Sequence, residues 1–275
     1  MTQLPLVLEF TDPRCQEVAL SGGKGASLAV MTGADLPVPP GFVITSAAFG
    51  AAVDGQALRA RTRERDLAAA RAIVAAASPP REQVAEQFAR LDGPLAVRSS
   101  ACAEDSAAAS YAGQQETYLN TDGLAEVLAN VVRCWLSFFT ERAVFYRGEK
   151  GSLDDVAMAV VVQQMVDSQR SGVLFTVDPV HGRRDRMVVE AARGLGEAVV
   201  SGEVTPDNYT LSRDGAVKKS RVVGAERVLS DADCAALAAL GRQVAELHGG
   251  PQDIEWAFDA DGRLFLLQSR PITTI

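Results

Sequence analysis

Asp253, Glu255, Gln268 and Arg270 lie near the end of the 275-residue chain, in two apolar runs separated by Asp259-Ala260-Asp261-Gly262. The tetrapeptide is a turn signal, so the two runs read as a β-hairpin. With the turn centred on Ala260-Asp261, Phe258 opposes Arg263, Glu255 opposes Leu266 and Asp253 opposes Gln268. Side chains alternate along a strand, so Ile254, Trp256 and Phe258 share one face. Asp253 and Glu255 share the other with Gln268, and Arg270 follows two residues on. Carboxylate and amide oxygens suit a hard cation such as Mg²⁺, and a guanidinium suits phosphate oxygens. The same spacing also fits a solvated face carrying an Asp/Glu–Arg ion pair.

Three other stretches suit an anion. In Ser21-Gly22-Gly23-Lys24-Gly25-Ala26 the glycines let the backbone approach a phosphate, and Lys24 is long enough to reach across one. The spacing of a P-loop is missing, and a tight turn fits equally well. The run from Arg98-Ser99-Ser100 through Cys102 and Asp105 to Ser110-Tyr111-Ala112-Gly113-Gln114 offers N–H and O–H donors after a strand. A polar surface loop is the alternative. Ala192-Arg193-Gly194-Leu195-Gly196-Glu197 is a glycine-rich turn after a strand, and a lone GxG is weak evidence.

The scaffold that must hold these groups mixes helices and strands. Val38-Pro39-Pro40-Gly41-Phe42-Val43-Ile44 reads as a turn feeding a short strand. Residues 56–91 are rich in Ala, Arg and Glu and predict two helices, broken by Pro79-Pro80. Leu95-Ala96-Val97 is a short strand, and residues 124–147 carry Leu128, Val131, Val132, Trp135 and Phe139 at helical spacing. From about 157 the character changes to strands. Met158-Ala159-Val160-Val161-Val162 has the continuous apolar pattern of a strand buried on both faces. Residues 172–177 and 187–190 follow as strands. After a polar connection, residues 231–247 predict one helix, with Ser230 or Asp231 as N-cap and Gly249 as stop. The expected fold is α+β without a βαβ repeat, in approximate lobes 1–156 and 157–275.

The net charge of −8 argues against a nucleic-acid binder, yet leaves room for a phosphate ligand held by a few cations and N–H groups. No apolar run approaches the length that spans a bilayer, and no leader pattern opens the chain, so the cytoplasm is the default location. Cys15, Cys102, Cys134 and Cys234 lack metal-site spacing and read as packed, reduced thiols.

Taken in order, these segments resemble the ATP-binding domain shared by phosphoenolpyruvate synthase, pyruvate phosphate dikinase and rifampin phosphotransferase. The matching stretches are GGKGASLA (22–29), VPPGFVIT (38–45), LAVRSSACAEDSAAASYAGQQETYLN (95–120), VVVQQMV (160–166), SGVLFTVDP (171–179), EAARGLGEAVVSGEVTPDNY (190–209) and PQDIEWAFDADGRLFLLQSRPITT (251–274). The resemblance implies an ATP-grasp-type fold whose two lobes clasp a nucleotide, with ATP and Mg²⁺ as cofactors. It implies that Lys24, Arg98 and Arg270 contact phosphates and act in catalysis, that Glu255 and Gln268 hold Mg²⁺, and that Asp253 assists. Gln163, Gln164, Met165 and Val166 would line the adenine as a hinge. Ser110, Ala112 and Gly113 would belong to a phosphate-covering loop, and Gly196 and Glu197 would approach the nucleotide from the other lobe.

Members of this family pass phosphate through a histidine on a swivelling carrier domain. His181 and His248 lie outside that family's Thr-Ser-His carrier motif and read as structural, His248 as a complement to a helix C-terminus. The connection from Tyr209 to Ser230 is also shorter than the resemblance predicts. The preferred expectation is a Mg·ATP-dependent phosphotransferase domain that passes a phosphoryl group, with AMP as product, to a histidine carrier on a separate domain or protein. The alternatives are a stand-alone ATP-grasp kinase or ligase acting directly on a small molecule, and a nucleotide-sensing module without catalysis.

Overall fold

The computed structural model describes residues 4–102, 116–140, 158–196 and 204–273. The chain forms two compact units, Met1–Gly33 with Pro40–Met165, and Ala34–Pro39 with Val166–Ile275.

The first unit is built on a five-stranded antiparallel sheet in the order β1-β2-β5-β3-β4. The strands are β1 (Val7–Glu9), β2 (Gly41–Ile44), β3 (Leu95–Ala101), β4 (Thr117–Thr121) and β5 (Met158–Gln164). The valine-rich β5 pairs with both β2 and β3, which keeps it in this unit and puts the division after Met165. Helices α1 (Val18–Gly33), α2 (Ser46–Ala52), α3 (Gly55–Arg63), α4 (Leu67–Ala75), α5 (Arg81–Phe88) and α6 (Leu124–Ser137) belong to the same unit. Phe42, Ile44, Val97, Val160 and Val162 pack with Phe49, Val74, Val84, Val131 and Trp135 in one core. Phe49 meets Trp135 edge-on, with ring centroids 5.4 Å apart.

Residues 56–91 hold three helices where the sequence predicts two. Pro79-Pro80 makes the expected break, and a second falls at Arg65, whose φ is 59°. Asp66 starts the next helix by accepting the Ala69 N–H, a cap that alanine-rich flanks conceal in a periodicity reading. Of the predicted helix 124–147, the part from 141 lies outside the described residues.

The second unit is a six-stranded antiparallel sheet in the order β11-β10-β6-β7-β8-β9. Its strands are β6 (Arg170–Phe175), β7 (Arg186–Arg193), β8 (Asp207–Ser212), β9 (Val217–Arg221), β10 (Gln252–Phe258) and β11 (Leu264–Pro271). Helix α7 (Asp231–Leu247) packs against β6 and β10. Its Ser230 cap is reciprocal: the Ser230 hydroxyl accepts the Asp233 N–H at 3.1 Å, and the Asp233 carboxylate accepts the Ser230 N–H at 2.8 Å. Gly249, with φ 71°, follows its C-cap.

The strands β8 and β9 occupy part of what reads in the sequence as a polar connection. Alternation of Tyr209 and Leu211 with Asn208 and Thr210 is their signature, joined through the Asp214-Gly215 turn. The remaining connection is tied down by Asp207. Its carboxylate accepts the N–H groups of Val223 and Val228 at 2.8 and 2.9 Å and the Tyr209 hydroxyl at 2.8 Å. The Tyr209 oxygen in turn accepts the Leu229 N–H at 3.2 Å. Burial alone would raise the Asp207 carboxyl, but these donors outweigh it and hold it below its usual value.

Candidate nucleotide-phosphate site

In the first unit, the GGKG and RSS stretches, which read as separate motifs in the sequence, form one assembly. Gly22 interrupts α1 with φ 67° and ψ 174°, a conformation that side chains other than hydrogen disfavour. A Cβ at Gly22 would also fall on the carbonyl and hydroxyl oxygens of Ser100, so only glycine permits this approach of α1 to β3. The Ser100 hydroxyl donates to the Ser21 carbonyl at 2.8 Å and accepts the Gly25 N–H at 3.2 Å. Lys24 is buried, and its Nζ donates to the Ser99 carbonyl at 2.9 Å. Arg98 is also buried, mid-strand in β3 and opposite Val161 of β5. Two cations are thus fixed around β3, both withdrawn from bulk water. Low-dielectric surroundings strengthen their attraction for an anion.

Past the end of β5, Met165 donates its N–H to the Pro94 carbonyl at 3.0 Å. Its sulfur accepts the Asn120 N–H at 3.0 Å. Gln163 is buried, whereas Gln164, Met165 and Val166 are half-buried. Ser110, Ala112, Gly113 and Glu197 lie outside the described residues.

In the second unit, β10 and β11 bring the oxygen donors together, in a register that corrects the sequence expectation. Asp253 pairs with Arg270, and Glu255 pairs with Gln268. The loop is one residue longer than a turn centred on Ala260-Asp261 allows. Asp259 accepts the Arg263 N–H on its carboxylate at 2.8 Å, and Gly262 takes φ 77°, giving a three-residue connection. A bulge beside Glu255 and Trp256 then shifts the register once more, leaving Leu267 as the extra residue. The assignment of faces survives both shifts: Trp256 and Phe258 stack edge-on at 5.6 Å on one side, and Asp253, Glu255, Gln268 and Arg270 share the other.

Arg270 donates to Asp253 Oδ2 through Nε at 2.8 Å, and its Nη2 lies 2.6 Å from the same oxygen in an ion pair. The Asp253 carboxyl is nevertheless raised above its usual value, first by burial and further by Glu255, with Arg270 pulling it back. Gln268 is 6% exposed, and its buried Oε1 has no hydrogen-bond partner among the described residues. An orphaned amide oxygen directly across from a carboxylate is a site short of a cation. Among the described residues no three His, Cys, Asp or Glu side chains cluster, so this donor set is two carboxylates and an amide. It fits Mg²⁺, which takes few protein ligands and completes its shell with water and phosphate oxygens.

The sheet register adds residues that the motifs did not single out. Glu255 pairs with Val173, Val173 with Glu190 and Glu190 with Asn208, so Glu190 and Asn208 stand on the face of Glu255. The alternation of half-buried Val188 and Glu190 with buried Met187 and Val189 was the available signal. At the other end of β7, the Gly194 carbonyl accepts the hydroxyls of Ser168 and Ser171 at 2.9 and 2.5 Å. Gly196 follows it, half-buried. Cys15, Cys134 and Cys234 are buried thiols; burial pushes Cys15 and Cys234 up to about 11 and Cys134 up to about 12, which favours the neutral thiol.

Residues 18–226 and 212–275 match the family described as the pyruvate phosphate dikinase AMP/ATP-binding domain. The chain is 40% identical over 308 residues to a probable phosphoenolpyruvate synthase of Methanothermobacter thermautotrophicus, covering 94% of this chain and 45% of that protein. It is 42% identical over 318 residues to a rifampicin phosphotransferase of a Streptomyces species, covering 98% of this chain and 36% of that protein. The phosphoenolpyruvate synthase of Pyrococcus furiosus is 35% identical over 354 residues, with 97% and 43% covered. The chain thus spans less than half the length of these relatives. Among solved structures, an ADP complex of N5-carboxyaminoimidazole ribonucleotide synthetase covers 89% of this chain and 44% of its own at 13% identity and TM-score 0.37. A D-alanyl-alanine synthetase A from Vibrio cholerae covers 91% and 55% at 11% identity and TM-score 0.39. Among the described residues no helix is long and apolar enough to cross a membrane.

Proposed function

We propose a phosphoryl-transfer role for this chain, which belongs to the pyruvate phosphate dikinase AMP/ATP-binding domain family. It binds ATP with Mg²⁺ and passes one phosphoryl group to a histidine carrier on a separate domain or protein, the other ending on water, so that AMP and inorganic phosphate are the co-products. The observation that carries this reading is the buried, unpartnered Oε1 of Gln268 directly opposite Glu255, beside the Asp253–Arg270 pair.

Glu255 and Gln268 hold the cation and Asp253 assists, through its own charge and by orienting Arg270. When bound, Mg²⁺ neutralises phosphate oxygens as charge shifts toward the leaving group. Arg270 offers its remaining N–H donors to a phosphate, already oriented by Asp253. In the other unit, Lys24 and Arg98 contact phosphates from fixed positions around β3, so little reorganisation is needed as charge develops. Gln163, Gln164, Met165 and Val166 line the adenine, and Gly196 approaches the nucleotide. Ser110, Ala112, Gly113 and Glu197 keep the contacts that the resemblance implies.

The test is to incubate the chain with Mg²⁺ and ATP labelled at the β or γ position, with and without a separately prepared histidine-carrier domain. AMP formation with label on the carrier is the expected result. Nucleotide release that needs only a small molecule, with the carrier unlabelled, overturns the carrier reading.

A further inference from the structure

The loop from β6 to β7 holds a carboxylate–imidazole pair that the nucleotide site does not use. Asp178 is 8% exposed and closes the loop through its backbone: its N–H donates to the Arg183 carbonyl at 3.1 Å, and its carbonyl accepts the Gly182 N–H at 2.9 Å. Its Oδ1 accepts the N–H groups of Val180 and His181 at 3.0 and 3.1 Å. Its Oδ2 lies 2.9 Å from His181 Nδ1. The carboxyl stays below its usual value: burial would raise it, but the donors from His181 and Val180 prevail. A carboxylate accepts, so the proton of the neutral ring belongs on Nδ1 and the lone pair on Nε2. The imidazole itself is 70% exposed. Three arginines, Arg183, Arg184 and Arg186, flank it in sequence, and Asp185 pairs with two of them.

The loop leaves the sheet at the end that carries Asp253 and Arg270. Phe175, the last residue of β6, pairs with Asp253, and Thr176 exchanges hydrogen bonds with Gln252 at 2.9 and 2.7 Å. Asp178 follows Phe175 by three residues, with the chain bending at Thr176 and Val177. An oriented imidazole with a free Nε2 lone pair, an anionic partner on Nδ1 and arginines following it in the chain is equipped as a nucleophile toward a phosphoryl group.

We propose that His181 is a phosphoryl acceptor, taking the terminal phosphoryl group of ATP in a reaction separate from transfer to a carrier. The proposal rests on the Mg·ATP reading above. The Nε2 lone pair forms a bond to the γ-phosphorus, the bond from that phosphorus to the β,γ-bridging oxygen breaks, and ADP leaves with the electron pair. The ring becomes cationic, and the Asp178 carboxylate beside Nδ1 balances that charge.

The chain alone is incubated with Mg²⁺ and γ-labelled ATP, and protein-bound label is tested for stability to alkali and loss in acid, then mapped by peptide. The expected result is acid-labile, alkali-stable label on the peptide carrying His181, accompanied by ADP, absent from H181Q and retained in H248N. A parallel incubation includes the carrier domain. Carrier label without label on the wild-type chain overturns the His181 proposal and leaves the carrier reading standing. Undiminished label in H181Q overturns it as well. Label on neither protein overturns the His181 proposal, while the carrier reading is judged separately by AMP formation and carrier label from β-labelled ATP.

Discussion

Asp207 and Asp253 are both buried carboxylates in strands of one sheet, 3% and 9% exposed, yet their environments push them in opposite directions. Asp207 faces two backbone N–H groups and a tyrosine hydroxyl, and is held below its usual carboxyl range. Asp253 faces one guanidinium and a second carboxylate, and burial raises it. Burial is therefore not what distinguishes a structural acid from a site acid. The donor count is. Asp207 is complete within the chain and fastens the connection that follows β9. At Asp253 a single guanidinium serves a carboxylate that stands beside a second one, and the buried Gln268 Oε1 has no donor among the described residues, which suits a place reserved for a cation.

The sharpest break of this comparison is Asp207→Ala. It strands two N–H groups and the Tyr209 hydroxyl together, and thermal or urea unfolding should report a loss of about 3 kcal/mol. A loss below about 1 kcal/mol would mean that water replaces the carboxylate and that the connection is not fastened there.

On the other side, Glu255→Gln should leave unfolding within about 0.5 kcal/mol of the wild type while lowering nucleotide-dependent transfer about 100-fold, or about 2.7 kcal/mol. A comparable fall in stability would reveal a structural role for Glu255 and dissolve the contrast. Asp253→Asn relieves a buried charge that has too few donors. The variant without nucleotide should gain about 1 kcal/mol and yet bind Mg·ATP about tenfold more weakly, measured by calorimetry. Arg270, with its side chain 65% exposed, loses little because water solvates it.

The smallest effect is in pH. The folded-state value of Asp207 is depressed, so its contribution is present above the unfolded value of about 4 and is lost as pH falls through the folded value. Between pH 5 and the acid limb, Asp207→Asn should therefore flatten the decline in stability relative to the wild type. Parallel acid limbs for the two proteins would assign the decline to other carboxylates.

Part of this architecture is legible in the chain itself. The helix start at Ser230 or Asp231, the Gly249 stop and the alternation in 253–258 come from local rules, because capping geometry and strand pleat involve residues only a few positions apart, and the structure assigns the cap to Ser230 with Asp233. The strands β8 and β9 were equally local, but their polar alternation resembled a connection until β8 paired with β7 and β9 with β8. The break at Arg65 was hidden because alanine-rich neighbours support a helix on either side of it.

What the sequence determined by itself is the inventory: which residues can donate oxygen to a cation, which cations can meet phosphate, and which face of the last hairpin carries them. Face membership has a period of two and survives errors of register among its neighbours. The partners were decided only in three dimensions. Whether Glu255 meets Leu266 or Gln268 depends on one residue in the turn and a bulge at Leu267, and both follow from packing against β6 and from the Asp259 turn. The fusion of the Gly22–Gly25 segment with Ser100 across the sequence likewise needed the sheet to bring β3 against α1. Hydrogen bonds between residues far apart in the chain leave no periodic trace, so that part of the site belongs to the tertiary structure alone.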